Sequence, residues 1–429
     1  MASLRRARMD ELCELVTDGT HDSPKIQKEG VPFIKGKNIS GGSVDFSSCD
    51  YITPEDHAEV SKRVKPRRGD ILFSNIGSVG DTAVVKDDRE FSIKNVALFR
   101  PDITKVAQDY FYYLVLSPEF RSNVMNVRSG SAQPFISLAN LRSFEVSYCE
   151  DPSTQQRIAS ILSAYDELIE NSQRRIKILE SMARALYREW FVHFRFPGHE
   201  NHPRVASPIG EIPQGWEVKK LSKIIFAHIG GGWGNEVPGE DHINPAWVIR
   251  GTDIPGARSS QVASVPHRFH TQSNLRSRRL VAGDIVFEVS GGSKGQPVGR
   301  ALLITRELLA ALGSDAICAS FCKRIQPDVE GYGSELLYLS FLEGYESGEI
   351  EQYQVQSTGI SNFKWTEYVA NTDRVVPPDL LREKFREHVA PLFTQIATLG
   401  RKINNLRRTR DLLLPRLLSG QITVEAEAA

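Results

Sequence analysis

The sequence predicts an internally duplicated α+β protein. Two β-rich globular units alternate with two long helices, which are expected to pair as an antiparallel coiled coil. Three observations carry that expectation. Gly283-Asp284-Ile285-Val286-Phe287 repeats Gly69-Asp70-Ile71-Leu72-Phe73. Short runs rich in Ile, Val, Leu and Phe, broken by Gly, Pro and Asn, surround each copy of that motif and read as strands. Each copy then closes on a long segment with apolar residues spaced alternately three and four apart, the signature of a helix that needs a partner.

The repeat has companions in the same order, which matters because a missed repeat misreads the whole fold. "FIKGKNI" from Phe33 corresponds to "VIRGTDI" from Val248. "RSGSAQPFIS" from Arg128 lies opposite "QSTGISNFKW" from Gln356, and the proline-marked helix starts "EDPSTQQRIASIL" and "VPPDLLREKFREHV" follow. The boundaries expected are a first unit over 1–150, a helix over 151–195, a linker over 196–215, a second unit over 216–376, a helix over 377–422 and a tail over 423–429. Between Ala107 and Met125 a helix is expected, interrupted at Pro118.

The first helix has Asp151 to cap it and Pro152 at its first turn. Its seam runs Ile158, Ile161, Tyr165, Leu168, Ile176, Leu179, Ala183, Leu186 and Trp190, with a slip at Ser172. The second seam runs from Phe385 to Leu417, with Arg410 at the one polar position, and Pro391 predicts a kink or a late start. The stretch from Phe194, rich in Pro, Gly and His, reads as a linker with solvated His199 and His202.

The bulk numbers exclude several classes. At 429 residues the chain needs more than one core. No run approaches a membrane span, and the N-terminus lacks a secretory h-region. Five scattered cysteines, without a C-x-x-C pair, suggest reduced thiols and a cytoplasmic location. Cys318 and Cys322, four apart, are expected to be buried small residues on a shared helix face rather than metal ligands. Net charge is zero, yet Lys62, Arg63, Lys65, Arg67 and Arg68 cluster, and 250–300 holds eight bases against three acids. A neutral chain with such patches can still face phosphate.

Catalytic motifs are missing. There is no phosphate loop, no H-E-x-x-H and no nucleophile elbow. "GGGWG" from Gly230 lacks the surrounding dinucleotide pattern. Pro101-Asp102 and Pro327-Asp328 lack the E-x-K that a nuclease motif needs nearby; Glu217-Val218-Lys219 is far away. The Arg68-Gly69-Asp70 tripeptide runs straight into Ile71-Leu72-Phe73, so it reads as the turn into a strand rather than an adhesion loop. What remains is a pseudo-dimer, the arrangement with which DNA readers touch two half-sites.

Six stretches in order carry a family resemblance: "DGTHDSP" from Asp18, "GVPFIKGKNI" from Gly30, "GDILFSNIGSVG" from Gly69, "PSTQQRIASIL" from Pro152, "GEIPQGWEVKKL" from Gly210 and "LLLPRLLSGQI" from Leu412. The chain resembles the specificity subunit of a type I restriction–modification system. The resemblance implies two target-recognition domains, each reading one half of a gapped, bipartite DNA site. It implies helices that set the spacing and dock two methyltransferase subunits, with restriction and translocase subunits in some complexes. Catalysis would lie in those partners, which carry S-adenosylmethionine and, where restriction subunits join, ATP with Mg²⁺; this chain would hold no cofactor or metal. The second helix start lacks the Gln-rich entry of the first, so the two docking faces are not expected to be equivalent. A stand-alone DNA-binding regulator and a nuclease or methyltransferase with an unrecognised site are the alternatives.

DNA contacts are expected on loops, where the copies diverge most. In the first unit these are Thr20, His21, Ser23 and Lys25; Lys35, Lys37 and Asn38; Ser74, Asn75 and Ser78; and Ser131 with Gln133. In the second they are Trp233 and Asn235; Arg250 and Thr252; Ser290, Ser293, Lys294 and Gln296; and Ser357 with Asn362. Arg, Asn and Gln suit base edges, whereas Lys more often holds phosphate.

Overall fold

A computed structural model describes residues 3–127, 135–291, 297–328, 330–357 and 360–424. The chain folds as two compact units. One comprises 1–167 with 406–429, and the other comprises 168–405. Three sheets recur in both units.

In the first unit a four-stranded antiparallel sheet has the order Cys13–Asp18, Ala97–Pro101, Ile71–Phe73, Thr82–Val84. In the second the order is Ile225–Gly230, Cys322–Pro327, Ile285–Glu288, Ala301–Leu303. A three-stranded sheet follows in each. Val31–Ile34 pairs antiparallel with Asp50–Ile52 and parallel with Ser92–Ile93. Asn244–Ile249 pairs antiparallel with His267–His270 and parallel with Ala316–Cys318. A two-stranded ribbon completes each unit, Leu4–Arg8 with Glu145–Cys149 and Glu217–Lys220 with Asp373–Val376.

The repeated "GDILF" explains itself at the level of side chains. Strand residues alternate between faces, and here both faces are buried. Ile71 and Phe73 enter one core and Leu72 another. Ile285 and Phe287 enter one core and Val286 another. Gly69 and Gly283 turn the chain at φ +94° and +96°, a region that suits glycine. The aspartate that follows is structural. Asp70 accepts from the Arg67 N–H at 2.8 Å and from Arg100 at 2.8 and 2.7 Å. Asp284 accepts from the Val281 N–H at 2.8 Å and from Arg324 at 2.7 Å. With Asp70 only 2% exposed, the Arg-Gly-Asp tripeptide offers nothing to an adhesion partner.

The first long helix, α1, spans Pro152–Tyr187 and continues as a π turn over Arg188–Val192. Asp151 caps it, accepting from the Thr154 N–H at 3.0 Å. Ser172, at the slip in the seam, is buried and donates back to the Leu168 carbonyl at 2.7 Å. The second long helix, α2, spans Asp379–Leu418 without a break. Pro391 therefore neither delays nor ends it; the helix tolerates the N–H that proline lacks. Pairing is antiparallel. In the first unit, Ile158 and Leu162 near the start of α1 share a core with Leu414 and Leu417 near the end of α2. In the second, Ala183, Tyr187 and Trp190 near the end of α1 share a core with Phe385 and Val389 near the start of α2. The helix expected around Pro118 is two, Gln108–Leu116 and Pro118–Val127.

Two expectations need correction. The linker over 196–215 is folded: Arg204–Ser207 and Gly210–Pro213 form a hairpin, and Phe196, Ile212 and Trp216 are buried. His199 and His202 donate to the carbonyls of Phe196 and Gln214. Cys318 and Cys322 share no helix. They end one strand and begin another, both buried in the same core. Among the described residues, no helix is long and apolar enough to cross a membrane.

Candidate nucleic-acid interface

Three loops leave the strands of each unit and converge. In the first unit the loop after Asp18 is tied to the segment after Ile93, because the Thr20 N–H donates to the Ile93 carbonyl at 3.0 Å. That segment reaches the next loop through the Lys94 N–H and the Ile34 carbonyl at 2.9 Å. The turn Gly36–Asn38 then lies against Ser74: a Cβ on Gly36 would stand 2.9 Å from its Oγ. The second unit repeats this step by step. The Gly232 N–H donates to the Cys318 carbonyl at 2.9 Å, and the Ala319 N–H to the Ile249 carbonyl at 2.8 Å. Gly251 lies against Glu288, whose Oε1 would be 2.2 Å from an added Cβ.

This geometry sorts the sequence-predicted residues. Four of them are interior. Ser74 is fully buried and donates to the Ile76 carbonyl at 3.3 Å. Asn75, 1% exposed, donates to the Ile136 carbonyl at 3.2 Å. Asn38 is fully buried, its Oδ1 accepting from the Lys35 N–H at 3.1 Å. Thr20, also buried, accepts from the Asp22 N–H at 3.0 Å. In this conformation these side chains build the loops and present nothing to a ligand, so the expectation of contact is corrected for them. Arg250 needs the same correction in part. Its guanidinium grips Asp253 at 2.8 and 2.9 Å and the Ser264 carbonyl at 2.7 Å. It closes a turn with Nε and Nη2.

The others stand at the surface or near it. Lys35 bonds Asp50 at 2.7 Å, and Lys37 lies 3.6 Å from the same carboxylate. The hydrogen bond from Lys35 holds the Asp50 carboxyl below the usual range. Ser23, paired with Lys94, and Lys25, Ser78, Thr252 and Asn235 are exposed. Ser290 bonds Asn362 at 2.7 Å, joining two loops of the second unit. His21 lies 2.8 Å from Asn95 Oδ1 and 3.2 Å from Asp18. Trp233 is 42% exposed, with the Arg268 guanidinium 5.0 Å from its ring centroid. Ser131, Gln133, Ser293, Lys294 and Gln296 lie outside the described residues. The backbone of Ser357 pairs with Ile360 in a hairpin; its side chain is outside the described set.

Sequence reasoning missed Asn95 and Phe321, and for Arg63 and Arg268, seen only as members of basic stretches, it missed their partners. Arg63 pairs with Asp18 beneath the first loop. Phe321 is 58% exposed beside the loop at Ser290. None adjoins its partner in sequence. Only the positive φ of Asn95, 51°, had a local cue, since asparagine tolerates that region. Among the described residues no group of His, Cys, Asp and Glu could hold a metal.

Residues 6–181 match the family described as type I restriction modification DNA specificity domain. The type I restriction enzyme MjaIX specificity subunit of Methanocaldococcus jannaschii is 27% identical over 424 residues, covering 96% of this chain and 91% of that one. The HindI specificity subunit of Haemophilus influenzae is 22% identical, covering 88% and 91%. The fold matches the crystal structure of the type I restriction–modification S subunit from M. genitalium with a TM-score of 0.53 at 14% identity, covering 97% and 96%. The matched domain and the near full-length relatives together show that this chain is similar to specificity subunits of type I restriction–modification systems.

Proposed function

We propose that this chain is the non-catalytic DNA-recognition subunit of a type I complex, each unit reading one half of a bipartite, gapped site. The observation that carries the reading is the doubled loop cluster: the same three loops, tied by the same backbone bonds, on two copies of one scaffold. Such a pair of readers on one chain suits two different half-sites. Adenine methylation is assigned to two methyltransferase subunits. They dock on the long helices, where Leu168, Ile178, Met182, Leu380 and Leu412 are exposed apolar residues. S-adenosylmethionine, and ATP with Mg²⁺ where restriction subunits join, belong to those partners. The complex acts in the cytoplasm.

The test is to purify the chain alone and with its cognate methyltransferase. The expected result is a complex of one chain with two methyltransferase subunits that binds and methylates a gapped site. Cleavage or methylation by the chain alone would sink the non-catalytic reading. Tight, sequence-specific binding by the chain alone, with no affinity for the methyltransferase, would establish a stand-alone regulator instead.

A further inference from the structure

The two units share a loop register that assigns His21 and Trp233 to the same position. Gly19 and Gly231 both press against the neighbouring strand end. An added Cβ would stand 2.0 Å from the Ile93 carbonyl oxygen in one case, and 2.1 Å from the Ala319 and 2.2 Å from the Cys318 carbonyl oxygen in the other. The next residue, Thr20 or Gly232, donates its N–H to Ile93 or Cys318. The residue after that is His21 in one unit and Trp233 in the other.

Both rings are exposed and both are clamped. Asn95, at φ 51°, bonds Nδ1 of His21 at 2.8 Å, and an Asp18 oxygen lies 3.2 Å from Nε2. Arg268 lies over Trp233 and is itself held by Glu236 at 2.9 Å. Gly234 closes the loop behind Trp233 at φ +74°, where an added Cβ would stand 2.6 Å from His270 Cε1. Both nitrogens of that buried histidine lack a hydrogen-bond partner. The second loop is therefore shaped by glycines that no other residue replaces without movement, and it holds a large aromatic ring out of the core.

We propose that His21 and Trp233 are equivalent base-reading residues, each laying a clamped aromatic ring against a base of its own half-site. This rests on the bipartite-recognition reading above. With Nδ1 bonded to Asn95 and Nε2 beside Asp18, His21 offers ring carbon; Trp233 offers an indole face. Of the base edges in the major groove, only thymine presents a methyl group to such a surface. A thymine in each half-site is the target assigned to these rings. Asp18, Asn95 and Arg268 are positioning residues.

The experiment maps adenine methylation in cells carrying the methyltransferase with wild-type chain, His21→Ala, Trp233→Ala or Trp233→Phe. Assembly is checked by co-purification. Trp233→Ala should relax one base position in one half-site by about 10-fold, leaving the other half unchanged. His21→Ala should relax a position in the opposite half, and Trp233→Phe should keep most of the wild-type preference. Unchanged motifs in assembled alanine variants would overturn the proposal, as would equal loss at both halves or relaxation at positions without thymine. If the wild-type chain directs no bipartite motif, the recognition reading itself fails.

Discussion

The buried ion pairs at the Gly-Asp turns hold each sheet to its loop. Asp284 is 3% exposed and Arg324 8%. Arg324→Ala leaves an unpaired buried carboxylate, for which about 3–5 kcal/mol is expected. An unfolding free energy, from denaturant titration, lowered by less than a quarter of that would show the pair to be dispensable. Thiol chemistry follows burial. Burial pushes the Cys318 thiol up to about 12, and Cys322 well above its ordinary value. Native protein should therefore expose Cys49, the half-buried thiol, to a thiol reagent first, while Cys13, Cys149, Cys318 and Cys322 wait for unfolding. Rapid native labelling of Cys318 would contradict the core described. Burial also lowers the pKa of His57 and His270. Above about pH 6.5 both folded and unfolded chains keep these rings neutral. Below it the unfolded chain takes up protons that the buried rings resist, so stability falls as pH falls from 6.5 toward 5. A thermal midpoint that falls less over that window in His270→Phe than in wild type would assign that share of the effect to His270. Residue roles were the least legible in the sequence. Asn38, Ser74 and Arg250 look like base readers, yet each satisfies a turn whose partner is set by the fold.

The helices were legible because their period is a direct print of burial. Even the anomaly at Arg410 has a partner. It pairs with Asp166 of α1, whose other oxygen accepts from the Tyr113 hydroxyl at 2.7 Å. A polar pair in an apolar seam specifies register at some cost in stability. Arg410→Leu alone should cost about 1–2 kcal/mol, because Asp166 loses its cation while part-buried. Adding Asp166→Leu together with Tyr113→Phe, which removes the hydroxyl that Asp166 accepts from, should recover most of it in thermal unfolding. A combined variant as unstable as the single one would deny the pair this role. Pro391 misled because proline's local rule met a helix held by tertiary packing, with Phe385 and Val389 before it and Ile396 after it all buried. The folded hairpin at 204–213 was hidden for a related reason: Pro, Gly and His content signals turns but not what Phe196 and Trp216 pack against.

Duplication was the most legible feature of the whole molecule, since "GDILF" recurs in order with its neighbours. The structure extends it to sheets, ribbons and the hydrogen bonds between loops, where sequence identity has faded. The central claim is that this doubled scaffold reads two half-sites for a partner that methylates. Genome-wide mapping of methylated adenine, in cells with the cognate methyltransferase and with or without this chain, tests it most directly. The expected result is an asymmetric motif of two short specific blocks separated by a fixed gap, present only with the chain. Methylation that does not depend on the chain, or a single uninterrupted motif, with both proteins folded, would contradict it.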